Sequence, residues 1–170
     1  MSKIFTSLLV ILFLFISNLQ AGDKIELKWK KFNEGITLAK KENKRILVNV
    51  YADWCKWCKK MDTEVFTNDS VGWYLKKNFI LVKLNGESEE QVKYKGESLT
   101  AVSLARGFGV TGFPSVIFLE SNGDAITKVP GFVNAEDFMP IIKFIGDGHY
   151  KKMKWEEYLD KYGPKGKVNY

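Results

Sequence analysis

The stretch Val48-Asn49-Val50-Tyr51-Ala52-Asp53-Trp54-Cys55-Lys56-Trp57-Cys58-Lys59 decides how this chain is read. Its first residues continue Arg45-Ile46-Leu47 into a short apolar run rich in β-branched side chains, the pattern of a buried strand. Ala52-Asp53-Trp54 is a brief exit, and from Cys55 the pattern turns helical, with Met61, Val65 and Phe66 on one side. Cys55 and Cys58 are the whole thiol inventory of the 170 residues. So close a pair is a weak staple, because closing a loop of about four residues restrains the unfolded chain by about 2 kcal/mol, against about 3 for fifteen. A chain this long buries a core without that help. The spacing points to a dithiol that opens and closes, one cysteine attacking a substrate and the other resolving the mixed disulfide.

Other uses of the pair lack their partners. A structural zinc or iron–sulfur site wants four ligands, and the chain offers no third cysteine and a single histidine, His149, far along the sequence. Haem attachment needs Cys-x-x-Cys-His, and Lys59 follows Cys58. An inert surface disulfide stays open. A sulfur at a helix start meets unpaired N–H groups and the positive end of the helix dipole. Cys55 is therefore expected to be the exposed nucleophile with a lowered pKa, helped by Lys56 and Lys59, and Cys58 to lie shielded one turn in. Trp54 and Trp57 form a flat apolar apron for a substrate polypeptide. Ordinary packing explains Trp54 equally well, and Trp57, between the cysteines, less so.

The N-terminus has the layout of a secretory signal: Lys3, an apolar run from Ile4 to Ile16, then Ser17-Asn18-Leu19-Gln20-Ala21. Cleavage is expected after Ala21, leaving roughly 149 residues, enough for one domain. The alternative is an uncleaved anchor, although the apolar run falls short of the roughly 20 residues that span a bilayer. Export to the periplasm or beyond places the chain in an oxidising compartment, where a lone cysteine pair again suits a working dithiol. Net charge is +6, but lysines and acids are interleaved throughout, which describes a solvated surface and no nucleic-acid face.

Along the chain, Trp29, Phe32, Ile36 and Ala39 predict a helix over 29–42. A short helix is expected over 70–77, a second buried strand over 79–84, and a small hairpin arm at 91–94. A helix follows from about Leu99 to Gly107, a strand over 115–119, a turn at 121–124, and a returning antiparallel strand over 125–129. Asn134 caps a helix over 135–145. Residues 151–162 add a helix docked by Trp155, Tyr158 and Leu159, and a loose tail starts at Gly163-Pro164. The result is an α/β domain, a mixed central sheet flanked by helices. The division is a signal over 1–21, one domain over 22–146, and a C-terminal helical extension and tail over 147–170.

The strand-to-CxxC stretch, followed by Phe108-Gly109-Val110-Thr111-Gly112-Phe113-Pro114-Ser115, resembles the thioredoxin superfamily over roughly residues 30 to 146. Within it the likeness is to exported thioredoxin-like proteins of the SoxW type and to the C-terminal thioredoxin domain of membrane thiol:disulfide interchange proteins. The resemblance implies a thioredoxin-like fold with an extra C-terminal helix, Cys55 as attacking cysteine, and Cys58 as resolving cysteine. It makes Pro114 the family's cis-proline, although only about 5–6% of X–Pro bonds are cis in general. Phe113 would then turn its backbone to an extended substrate as an added strand, with Trp54 and Trp57 beside it.

Two departures stand out. Asn49 falls where the family keeps a buried carboxylate, while Lys83 matches the lysine that accompanies it. Deprotonation of Cys58 would fall to water, Lys83 or another acid such as Glu64. Lys56-Trp57 replaces the usual Gly-Pro, so the redox poise is this chain's own. The segment from Glu87 to Thr100 is longer than thioredoxin's and is similar to the SoxW arm, either a surface elaboration or a partner-selecting flap. The implied function is an exported thiol:disulfide oxidoreductase leaning to reduction, with no cofactor and no metal. Its partners would be disulfide-containing substrate proteins and a membrane electron donor, with no stable membrane insertion after signal cleavage. The alternatives are a periplasmic disulfide oxidase or isomerase, and a binding module or chaperone whose dithiol is incidental.

Overall fold

A computed structural model describes residues 25–163. The expected signal and its cleavage site, and the tail from Pro164, lie outside the described residues. The centre is a four-stranded sheet of β1 (Arg45–Tyr51), β2 (Phe79–Asn85), β5 (Ser115–Leu119) and β6 (Ala125–Pro130), in the order β2-β1-β5-β6. β1 runs parallel to β2 and antiparallel to β5, and β6 returns antiparallel on β5. Parallel neighbours need a crossover. Here it comprises α2 (Lys56–Lys60), a π turn (Met61–Val65) and α3 (Asp69–Asn78). The dithiol thus sits where the crossover leaves the C-terminal end of β1.

Side chains alternate across the strands with period two. Ile46, Val48 and Val50, with Ile80, Val82, Leu84, Ile117 and Leu119, face a core closed by Phe32 and Ala39 of α1 (Phe32–Glu42) and by Leu104 of α4 (Ala101–Gly107). Leu47, Leu81, Val116 and Phe118 face the other core, against Met61, Val65, Leu75 and the Phe138 and Ile142 of α5 (Ala135–Gly146). Asn49 and Lys83, paired in register on β1 and β2, fall by the same alternation on the second face.

Three element boundaries differ from the sequence reading. The helix expected from Trp29 begins at Phe32, because Lys30 is taken by the edge of β2: its N–H donates to Leu81 O at 2.8 Å, and its carbonyl accepts from Lys83 N at 3.1 Å. Trp29 thereby lies ahead of the helix and packs edge-on against Phe66. Leu99 does not start a helix. It belongs to β4 (Glu97–Thr100), the return of a hairpin from β3 (Gln91–Tyr94), and Thr100 caps α4 by accepting from Ser103 N.

That hairpin lies against the body. Val92 is buried, the Tyr94 ring meets Phe32 and Phe108, and its hydroxyl donates to Gly123 O at 2.9 Å. After α5 the chain makes a 3₁₀ turn (His149–Lys151), so the terminal helix expected over 151–162 begins only at Trp155, as α6 (Trp155–Tyr162). Trp155 and Tyr158 pack on Phe144, and Tyr158 and Leu159 are buried, so the terminal aromatics do dock the extension.

Candidate functional site

Buried apolar residues on both faces hold β1 rigid up to Tyr51, and the chain turns through Ala52-Asp53-Trp54 to Cys55, the N-cap of α2. Cys55 and Cys58 form a disulfide, and Cys55 Sγ accepts a hydrogen bond from Cys58 N at 3.0 Å. A cap side chain that accepts a backbone N–H is what a helix start requires. Here the acceptor is the sulfur itself. The expected contrast in exposure is absent, since both cysteines are 3% exposed in the disulfide form. Ala52, Tyr51 and Phe113 cover them. Burial, then Asp53, Asp62 and Glu90, push the Tyr51 phenol above its ordinary value, so it stays protonated beside the sulfurs.

The Phe113–Pro114 bond is cis, and the Phe113 ring packs against the dithiol cluster and edge-on to Trp54 at 6.2 Å. Gly86 makes room for that ring. A Cβ there would collide with it and come within 2.9 Å of Val50 Cγ1. Trp54 and Trp57 are 67% and 56% exposed. Trp54 is steadied by donating its indole N–H to Glu87 Oε2 at 2.8 Å, and Trp57 rests on Phe132 at 5.2 Å. Lys60 Nζ stands over both Trp57 and Phe132, at 5.2 and 5.1 Å.

Beneath the dithiol helix, Asn49 is fully buried and Lys83 half-buried. They do not bond to each other. Both turn to Asp62, a residue the sequence reading missed: Lys83 Nζ donates to Asp62 Oδ2 at 2.6 Å, and Asn49 Nδ2 approaches Oδ1 at 3.5 Å. Glu64, the acid named from sequence, is exposed and faces Lys60 at 3.8 Å. The overlooked signal was spacing, since Asp62 follows Cys58 by four residues and so shares its helix face. Asn49 Oδ1 finds no partner among the described residues. Nor do three His, Cys, Asp or Glu side chains gather there as a metal site.

Residues 32–146 match the thioredoxin-like domain family. Among curated proteins, the chain is 30% identical over 104 residues to the thiol:disulfide interchange protein DsbD of Yersinia pestis strain Pestoides F, covering 60% of this chain and 16% of that one. It is 29% identical over 126 residues to DsbD of Actinobacillus pleuropneumoniae serotype 5b, covering 73% and 20%. The chain therefore spans a fifth or less of the length of these relatives. A solved thioredoxin-fold protein from Helicobacter pylori superposes with a TM-score of 0.59 at 25% identity, over 71% of this chain and 80% of that one. A putative disulphide-isomerase from Bacteroides thetaiotaomicron shares the fold, with a TM-score of 0.58 at 24% identity over 79% and 99%.

Proposed function

The chain belongs to the thioredoxin-like domain family, and from that premise we propose that it is a thiol:disulfide oxidoreductase, an exported reductase of protein disulfides recharged by a membrane thiol donor. The observation that carries the reading is Cys55 Sγ at the helix start, within bonding reach of Cys58 N–H and of Cys58 Sγ. Once the disulfide is reduced, negative charge on Cys55 meets that N–H and the helix dipole.

Cys55 thiolate attacks one sulfur of a substrate disulfide, forming a mixed disulfide and expelling the other substrate sulfur as a thiolate. Cys58, deprotonated, then attacks Cys55 Sγ and releases the second substrate thiolate. Two electrons pass to the substrate, whose sulfurs take up two protons, and the Cys55–Cys58 disulfide remains. A dithiol donor reverses the last exchange to reset the site. Trp54, Trp57, Phe113 and Pro114 bear the substrate segment, and Asn49, Lys83 and Asp62 support the resolving step from below.

Export rests on residues 1–21, and no helix among the described residues is long and apolar enough to cross a membrane. Relatives named thiol:disulfide interchange proteins support exchange with other thiols as the reaction class. A Cys58→Ser variant is expected to accumulate mixed disulfides with protein substrates, and Cys55→Ser none. Equal trapping by both removes the assignment of roles. Direction is read from the reduction potential. A value near −270 mV supports a reductase and one near −120 mV replaces it with an oxidase.

A further inference from the structure

We infer that the site selects its partner by charge order, taking an extended disulfide-bearing polypeptide segment with basic residues on one side of its cysteine and acidic residues on the other. The inference rests on the oxidoreductase reading above and adds the chemistry of the substrate.

Sheet order lays out the rim. β2 and β6 are opposite edges of the four-stranded sheet, and the dithiol stands at the end of β1 between them. The chain leaving β2 is Gly86-Glu87-Ser88-Glu89-Glu90, an acidic run. Glu87 holds the Trp54 indole, and Asp53 accepts from Asn85 Nδ2 at 3.1 Å, so both carboxylates are fixed beside Trp54, and among the described residues no cation pairs with either. Of the three glutamates only Glu90 meets a lysine among the described residues, Lys31. The chain leaving β6 supplies Phe132, which carries Trp57 and Lys60. Among the described residues, Lys56 and Lys59 stand exposed on the same helix without a carboxylate partner, and Lys60 has only Glu64 at 3.8 Å, both well exposed. Asp137, near Phe132 in sequence, is engaged by Asn134 as a helix cap.

The rim thus runs from acids at Trp54, through the sulfurs, to lysines at Trp57. Two exposed indoles offer apolar contact to any extended chain. The charges distinguish one order from the other. A matched segment places its basic residues over Asp53, Glu87 and Glu89 and its acids over Lys56, Lys59 and Lys60. A reversed segment meets like charge at both ends.

The test uses three synthetic peptides of equal length, each with one cysteine in a mixed disulfide with a neutral small thiol. Flanks are Lys-Lys before and Glu-Glu after the cysteine, the reverse order, or serine throughout. Reduced protein attacks the peptide sulfur through Cys55, the small thiol leaves with a proton, and Cys58 then closes on Cys55 to free the peptide thiol. At about 10 mM salt one charged order is expected to react about 3- to 10-fold faster than the other, from a few exposed charge pairs. The gap should close near 1 M salt, where the Debye length is about 3 Å. In the variant Asp53→Lys, Glu89→Lys, Lys56→Glu, Lys59→Glu the preferred order should reverse. The ratio of the two peptides cancels any common change in Cys55 reactivity. Equal rates for both orders in the native protein, or a gap that persists at high salt, overturn the inference, and these arms need no variant to fold. If the serine peptide also fails to react, the oxidoreductase reading itself has failed.

Discussion

Asp62 is where a single residue changes the reading of the site. Asn49 cannot ionise, yet a carboxylate still reaches the space beneath the dithiol helix, held by Lys83 at 2.6 Å. Asn49 Oδ1 stays buried without a partner among the described residues, at a cost of about 1–3 kcal/mol, while its amide nitrogen leans toward Asp62. Asp62→Asn should slow the resolving attack of Cys58 by about a hundredfold or more, the lower reach of general-base effects, and leave Cys55 alkylation nearly unchanged. Rapid quench of the mixed disulfide checks this, and an unaltered lifetime removes Asp62 from the exchange. Asn49→Asp approaches the pair from the other side. Two carboxylates at this range disfavour joint ionisation, so the variant should lose stability at neutral pH and recover it as the pH falls, as a denaturant series would show. None of this was legible in a search for the acid at position 49. The pairing of Cys55 with Cys58 was legible, because their spacing and the lack of other thiols are sequence facts.

At the scale of elements, what could be read was what burial dictates. β1, β2 and β5 carry apolar side chains to both cores, so their runs announce them without regard to neighbours. Trp29 misled because its spacing from Phe32 is helical, while its place is decided by the backbone of Lys30 pairing with β2, which no periodicity reports. Leu99 misled for a similar reason, since a hairpin return of four residues leads directly into a helix capped by Thr100. The close approach of α1 to β2 was also hidden. Gly35 sits where a Cβ would run into Val82 Cγ2. Gly35→Ala is therefore expected to cost about 1–3 kcal/mol by overpacking, despite alanine's better helix propensity. Thermal unfolding measures it, and a more stable variant would show that α1 lifts freely.

The whole molecule is tied together at a distance from the dithiol by one charged knot. Arg45, at the start of β1, donates to Gly146 O and to Tyr150 Oη, each at 3.0 Å, and Tyr150 and Lys151 both bond Glu120 at the end of β5. Burial would raise the Glu120 carboxyl, but the hydrogen bonds from Lys151 and Tyr150, with Arg45 close by, hold it below its ordinary 4.5. A carboxylate depressed in the folded state adds stability above its unfolded pKa and loses it as the pH falls through the folded one. Glu120→Gln should therefore be less stable than the native protein by about 1–2 kcal/mol at pH 7. The difference should shrink as the pH falls below 4.5, and a gap independent of pH would remove the charge from the account. Another tie lies at the sheet's flanks. Lys30 occupies the outer edge of β2, and the outer strand β6 carries Lys128 and ends in Pro130, a charge and a residue without an N–H that both discourage pairing. Lys30→Pro removes the donor to Leu81 O and is expected to raise concentration-dependent self-association, measured by sedimentation. With the β2 edge taken by the chain's own Lys30 and the β6 edge guarded by a charge and a proline, a second copy of the chain is expected to find no strand it can extend.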